Sequence, residues 1–344
     1  MALSKLYSLS LFLPLQRVVE EKPMAVSRTE PKSITISRPK SKSRSYFARS
    51  QERWGYLFLS PWIIGFLIFT LIPILGTAYF SLTNYSPVTP DQTKFLGLGN
   101  YKTMLTDAKV AKSLLVTLNY AVLSIPISFI VGLGLAVLVN SKHLAGKNFF
   151  RTMFYMPFMI PVVAGALVWA GVMNTQSGWL NMMLEAVGID GPDWLNDPQW
   201  IYPALVLIGL WGLGNLMLTL LAGMQGVPTE LYEAATIDGA NGWQKFMKIT
   251  LPMISPVIFY NMTLMLIGAF KYFDLAYVLK NGTGQPADAT LFYNLNLYKN
   301  AFTYNLMGYG SALAWVLFLI VLALTLVLFK TANMWVYYGG EGRS

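Results

Sequence analysis

The chain is laid out as long apolar runs separated by stretches that hold most of its charges. Six runs follow one another: Tyr56 to Leu82, Ser113 to Val139, Phe149 to Met173, Ile201 to Met224, Pro256 to Leu279 and Tyr309 to Phe329, each 21 to 27 residues long. At about 1.5 Å of rise per residue, each covers a hydrocarbon core of roughly 30 Å with some tilt. The pattern predicts six transmembrane helices and an all-α membrane protein. Pro61, Pro73, Pro126, Pro157 and Pro161 fall inside these runs. Membrane helices tolerate proline where other groups satisfy the freed carbonyls, so these residues fit kinks around a cavity or ordinary packing.

Ahead of the first run, residues 1–53 mix Lys, Arg, Ser and Pro without the apolar periodicity needed for a core, and read as a basic, disordered tail. Leu6 to Leu15 is about half a span and no small-residue cleavage site follows it; Met24 is an alternative start. The expected organisation is therefore a tail over 1–53, a six-span domain over 54–335 and a short C-terminal tail over 336–344.

Composition narrows the chemistry. Apolar residues make up 55% of the chain and charged ones 12%, against about 25% charged in a soluble domain. The absence of cysteine excludes disulfides, thiolate metal sites and cysteine nucleophiles, and a single histidine, His143, leaves little for a metal centre or a catalytic triad. The net charge of +9 does not imply nucleic acid, because 11 of the 25 Lys and Arg precede Trp54. With both termini cytoplasmic, the inner side receives 18 Lys and Arg and the outer side six, and the basic-free loop from Asn174 to Trp200 falls outside.

Between the fourth and fifth runs, residues 229–252 read as two short helices. Pro228 suits a helix start, Ala234 and Ala235 favour helix, and Gly239 after Asp238 suits a left-handed stop. Asn241 with Gln244 forms a capping-box pattern; Trp243, Phe246 and Met247 are expected on one face, with Pro252 ending the helix. An apolar face on such a pair at a membrane surface implies a partner.

The run Glu233-Ala234-Ala235, three residues, Gly239, nine residues, then Ile249-Thr250-Leu251-Pro252 matches the EAA motif of binding-protein-dependent ABC importer permeases. The resemblance extends over residues 54–332. Phe58-Leu59-Ser60-Pro61-Trp62, Gly97-Leu98-Gly99-Asn100-Tyr101, Tyr155-Met156-Pro157 and Gly226-Val227-Pro228 are similar to the sugar-importing branch, nearest to F-like maltose and glycerol-3-phosphate permeases. It implies a type I ABC importer permease fold in which Glu233, Ala234, Ala235, Asp238, Gly239, Phe246, Ile249, Leu251 and Pro252 form coupling helices docked on a dimeric cytoplasmic ATPase. The further partners it implies are a second homologous permease, an extracytoplasmic solute-binding protein, a carbohydrate-like solute and the lipid of a bacterial or archaeal inner membrane. The extra N-terminal spans and outer domain of the maltose-type protein have no counterpart here.

Within the spans, Trp211, Gly212 and Asn215 are candidates for the solute pathway. Trp211 and Asn215, four apart, are expected on one helix face, where an aromatic plane and an amide suit a sugar ring. The resemblance adds Gly268, Ala269, Lys271 and Tyr272, with Gly268 expected to allow close backbone approach. Lys271 and Asp274, three apart, fit either an internal ion pair or the edge of a polar cavity. Packing and helix–helix hydrogen bonding are the alternative for each of these residues.

The chain lacks a GxxxxGK[ST] phosphate loop, so ATP and magnesium are expected in the partner ATPase, with no cofactor or metal and no enzymatic activity in this chain. A secondary transporter or channel driven by an ion gradient is the alternative. It calls for several buried carboxylates, of which only Asp274 is present, and it leaves the 229–252 motif unexplained.

Overall fold

The computed structural model of the chain describes residues 46–337, so the expected tail before Tyr46 and the last residues from 338 lie outside the described residues. Two units are distinguished, the first ending at Pro61 and the second beginning at Trp62. The described part of the first unit is the start of helix α1 (Tyr46–Phe66), which begins eight residues before the expected boundary at 54. The apolar pattern marks where the chain turns apolar, whereas the helix continues back through Ala48, Gln51, Glu52 and Arg53, all good helix formers. Pro61 has no N–H for the carbonyl of Leu57, and the Ser60 hydroxyl donates to that oxygen at 2.7 Å instead.

In the second unit a π-helical turn, Leu67–Leu71, leads into α2 (Ile72–Ser81). Then come α3 (Gly99–Thr106), the long α4 (Ala108–Asn140), α5 (Lys147–Tyr155), α6 (Val162–Val172), α7 (Trp179–Glu185), α8 (Ile201–Trp211) and α9 (Gly214–Gln225). The 229–252 loop holds α10 (Thr229–Ile237), α11 (Gly242–Lys245) and α12 (Leu251–Met253). The chain closes with α13 (Ser255–Phe270), α14 (Asp274–Lys280), α15 (Tyr293–Tyr298) and α16 (Met307–Trp335).

Among the described residues, four stretches are long and apolar enough to cross a membrane: Trp54–Ser81, Ala108–Asn140, Ser255–Lys280, which is interrupted between Phe270 and Asp274, and Met307–Trp335. The third and fourth expected spans are instead bent pairs, with 101° between Lys147–Met159 and Val162–Val172 and 53° between Ile201–Trp211 and Gly214–Gln225. Proline explains the first bend. Pro161 lacks an N–H and holds Ile160 extended at ψ 130°, so α6 starts afresh. The second falls at Gly212-Leu213-Gly214, and Gly214 is required there: a Cβ would lie 2.6 Å from the Cα of Tyr155, which packs α5 against the start of α9.

α4 is the central post, packing against α8, α9, α13 and α15, while α16 packs against α2 and α13. Val116 and Tyr120 of α4 meet Ile201 and Leu205 of α8 and Phe292 and Leu295 near α15 in one core cluster. Ala136 and Val139, lower on α4, meet Leu216, Met217 and Leu220 of α9 in a second. Buried polar groups fix the ends. Asn100 donates to the carbonyls of Ser81 and Thr83 at 2.9 and 2.7 Å, satisfying the last turn of α2, which gives the Gly97-to-Tyr101 segment a structural role. The backbone N–H of Tyr293 donates to Thr117 Oγ1 at 2.9 Å and its hydroxyl to the carbonyl of Leu313 at 3.1 Å, so α15 belongs to the core although it lies in a loop between spans.

Candidate functional site

Two regions carry the candidate residues. The first is the loop from α10 to α12. α10 ends in a Schellman arrangement: the Ala240 N–H donates to the Ala235 carbonyl at 2.8 Å and the Gly239 N–H to the Thr236 carbonyl at 3.1 Å. Gly239 sits at φ +77° with open space where a Cβ would stand, so its left-handed backbone, not crowding, demands glycine. Asn241 and Gln244 make both bonds of the capping box, each 2.9 Å. Two side-chain bonds then tie the helices together, Tyr232 Oη to Thr250 Oγ1 at 2.9 Å and Lys245 Nζ to Thr236 Oγ1 at 2.8 Å.

Pro252 does not end the second helix. It lies within α12, and the turn before it widens to a π-helical one, Phe246–Thr250, with the Leu251 N–H donating to Phe246. The same register recurs at Pro73, one residue past Ile72, whose N–H donates to Leu67. In both places the wider turn accommodates the ring and the missing donor without breaking the helix. Trp243 and Phe246 keep the expected pairing, with ring centroids 5.9 Å apart, but the face is only partly bare. Trp243 and Met247 are exposed, whereas Phe246, Ile249 and Leu251 pack against the cluster built on Leu216 and Ile254. Glu233, Ala234, Asp238 and Gly239 remain exposed, beside Ile237 at 88% and Trp243 at 68% exposure.

The second region lies where the broken helices meet. A cavity of about 330 Å³ is bordered by Trp169 of α6, Trp211 and Gly212 at the end of α8, Gly268, Lys271 and Tyr272 at the end of α13, and Asp274 opening α14. A neighbouring cavity of about 300 Å³ is bordered by Tyr120, Gly212, Asn215, Gly268, Ala269 and Tyr272. The two share Gly212, Gly268 and Tyr272, so all seven expected pathway residues border one or the other.

Two expectations about spacing along a helix are corrected in this region. Trp211 and Asn215 do not share one helix face, because α8 stops at Trp211 and α9 starts at Gly214; the break sends Trp211 to the first cavity and Asn215 to the second. Lys271 and Asp274 are not a turn apart on one helix but flank the interruption between α13 and α14, where both border the first cavity. Gly268 borders open space: nothing lies within 4 Å of its Cβ position, and a side chain there would enter the cavity.

Sequence reasoning missed Trp169, whose ring stands edge-on to Trp211 with centroids 5.9 Å apart, and Tyr120, 4.4 Å from the Tyr272 ring. Trp169 sits in an apolar run without a local signal; the only pointer was the pair Pro157 and Pro161, which breaks the span and turns α6 toward the cavity. Asn261 was also missed. It accepts from Thr219 Oγ1 at 3.0 Å and so ties α9 to α13 beside the second cavity. Among the described residues no group of three or more His, Cys, Asp or Glu is placed to hold a metal.

Comparison with known proteins agrees with this architecture. Residues 124–333 match the family described as binding-protein-dependent transport system inner membrane component. The chain is 42% identical over 300 residues to a probable ABC transporter permease protein, YesP, of Bacillus subtilis, covering 86% of this chain and 95% of that one. It is 33% identical to the trehalose/maltose transport system permease protein MalF of Thermococcus litoralis, covering 82% and 95%. Its fold is similar to that of a chain in a bacterial ABC transporter for the acidic polysaccharide alginate, with a TM-score of 0.74 at 23% identity over 85% of this chain and 99% of that one. On this footing the chain belongs to the binding-protein-dependent inner membrane components, the multi-pass permease subunits of ABC transporters, in which ATP hydrolysis is the work of a separate subunit.

Proposed function

We propose that this chain forms half of the translocation pathway of an ATP-driven importer for a sugar or glycerol-phosphate-like solute. It works with a second, homologous permease, a dimeric ATPase that holds the ATP and magnesium, and an extracytoplasmic binding protein. The observation that carries the coupling half of this reading is the 229–252 loop: two helices capped and bonded into one unit, with Ile237 and Trp243 left bare at its surface. A stiff unit of this kind transmits displacement, and exposed apolar side chains beside the small Ala234 and Gly239 suit close docking on an ATPase. The lysine and arginine count supports placing this loop and both termini on the cytoplasmic side of a bacterial or archaeal inner membrane.

The pathway half rests on the two cavities at the breaks in the helices. Discontinuous membrane helices place polar backbone ends at mid-span, where a solute site needs them. The names of the curated relatives, a trehalose/maltose and a lactose permease among them, support a sugar. In operation, closure of the ATPase moves the coupling unit and the packed helices above it, opening the cavities to one side and then the other.

Gly239→Asp tests the reading. It forces a charged side chain into φ +77° at the exposed end of α10. The expected result is loss of ATPase association or of coupling between hydrolysis and uptake, with the chain still inserted in the membrane at normal abundance. Full uptake with normal ATPase association in this variant contradicts the assignment.

A further inference from the structure

The 229–252 unit is joined to the spans at two places, through Gly226-Val227-Pro228 to α9 and through α12 to α13. The second path stays hydrogen-bonded into the span. The Ile254 N–H donates to the Thr250 carbonyl and the Ile258 N–H to the Ile254 carbonyl, both at 3.0 Å, so a displacement of Thr250 enters α13 along its axis. α9 and α13 then lie against each other in one register. A Cβ on Gly223 would lie 3.0 Å from the nearest Val257 methyl, and one turn on Thr219 Oγ1 donates to Asn261 Oδ1 at 3.0 Å. A further turn on, Asn215 and Met265 both border the second cavity.

At the other end, α10 meets α11 only through the turn from Asp238 to Asn241, in which Gly239 has open space around it. A turn alone leaves the angle between two helices free to change under load. Two side-chain bonds cross it, and they are not equal. Thr236 is exposed, so water competes for the Lys245 ammonium that bonds it. Thr250 is only 6% exposed, and Tyr232 is half-buried with its ring against the cluster built on Leu216 and Ile254, so their 2.9 Å hydroxyl bond is shielded from water.

We propose that the Tyr232–Thr250 hydroxyl bond is the contact that carries a displacement of α10 into α13. Tyr232 is then a positioning residue for coupling, acting through Thr250 and not by touching the solute. Without the bond, movement of α10 is taken up by opening the turn at Gly239, and the second cavity keeps its shape. This inference rests on the importer reading and names the link by which the coupling unit reaches the pathway.

The test uses the complete transporter in proteoliposomes with its binding protein and needs no identified solute. Leu264→Cys places the one thiol of this chain on α13 at the second cavity, and its maleimide labelling rate is compared without nucleotide and with ATP, magnesium and vanadate. Tyr232→Phe and Thr250→Val each remove one hydroxyl at nearly constant size, whereas Thr250→Ser keeps the hydroxyl. The expected result is a nucleotide-dependent change in labelling that Tyr232→Phe and Thr250→Val each shrink roughly two- to tenfold, with ATPase association intact, and that Thr250→Ser retains. Combining Tyr232→Phe with Thr250→Val should add little to either alone, because the same bond is lost in each case. Lys245→Met, which cuts the exposed tie, should cost less. A full response in both Tyr232→Phe and Thr250→Val overturns the proposal, as does an equal loss in Lys245→Met. Loss of ATPase association in Tyr232→Phe overturns it too, because the residue would then serve docking. Failure of the unaltered chain to associate with any ATPase would sink the importer reading, whereas association with no nucleotide response at Leu264→Cys overturns this proposal alone.

Discussion

The 229–252 loop and the first cavity differ in how they are built. The loop from α10 to α12 is made by neighbours in sequence: the capping box spans three residues, the Schellman bond five, and the longest of its ties, Tyr232 to Thr250, eighteen. The cavity is made by residues far apart in the chain, brought together because three spans break near one place. Trp169, Trp211 and Lys271 belong to separate helices and meet only when α6, α8 and α13 have packed. A locally specified unit keeps its shape while it is pushed, whereas a site assembled from helix ends changes shape when those helices move. The proposed coupling role needs the first property and the proposed alternating access the second.

This contrast predicts how damage spreads. Gly214→Ala should have the largest effect, because its Cβ would meet the Tyr155 backbone and force α5 away from α9. Overpacking of this kind costs about 1–3 kcal/mol. The expected outcome is a lower thermal unfolding midpoint in detergent together with impaired uptake, since both cavities share this joint. An unchanged midpoint would show that the joint yields without cost.

Asn100→Ala sharpens the comparison from the other side. It leaves the carbonyls of Ser81 and Thr83 without their donor and should destabilise by about 1–3 kcal/mol, yet solute selectivity should persist because Asn100 borders neither cavity. Altered selectivity among labelled sugars would tie the end of α2 to the site. Asn241→Ala should cost about 1 kcal/mol and stay local. Amide exchange should speed up over residues 242–245 and remain unchanged in α8 and α13; faster exchange there would dissolve the distinction between the two regions.

The smallest expected effect is a pH dependence in the loop from Asn174 to Trp200. Burial acts to raise the Asp193 carboxyl, but hydrogen bonds from the Asn196 side chain, the Thr175 hydroxyl and the Asn196 backbone, with the Lys280 charge, outweigh it and hold the group below its usual range. A carboxylate whose folded pKa lies below the free value of about 3.9 stabilises fully above that value and loses the contribution as pH falls through the lower one. Exchange protection around Asp193 should therefore be flat from about pH 5 to 8 and decline only in stronger acid. A decline near neutrality would assign the loop's stability to another group.

The same contrast decides what the sequence disclosed. The caps at Gly239 and Asn241 and the two short helices were legible because their signals sit within a few residues. The apolar runs located the membrane helices. They misstated their continuity at Gly212 and Lys271, because hydropathy measures the solvent a segment prefers and says nothing of whether its backbone is unbroken. Trp211, Asn215 and Lys271 border the two cavities although the helical spacing expected of them is broken, and Trp169 was invisible because its position depends on how Pro157 and Pro161 redirect α6. Phe246, Ile249 and Leu251 pack against the cluster built on Leu216 and Ile254, a contact that depends on the assembled bundle and not on local spacing.

The most direct test of coupling through the 229–252 loop uses the fact that the chain has no cysteine. Ala234→Cys introduces one thiol on the exposed side of α10, to be labelled with a maleimide in the chain alone and in the assembled transporter. The account predicts rapid labelling of the isolated chain and strong protection once the ATPase is bound. Equal labelling in both states would contradict it.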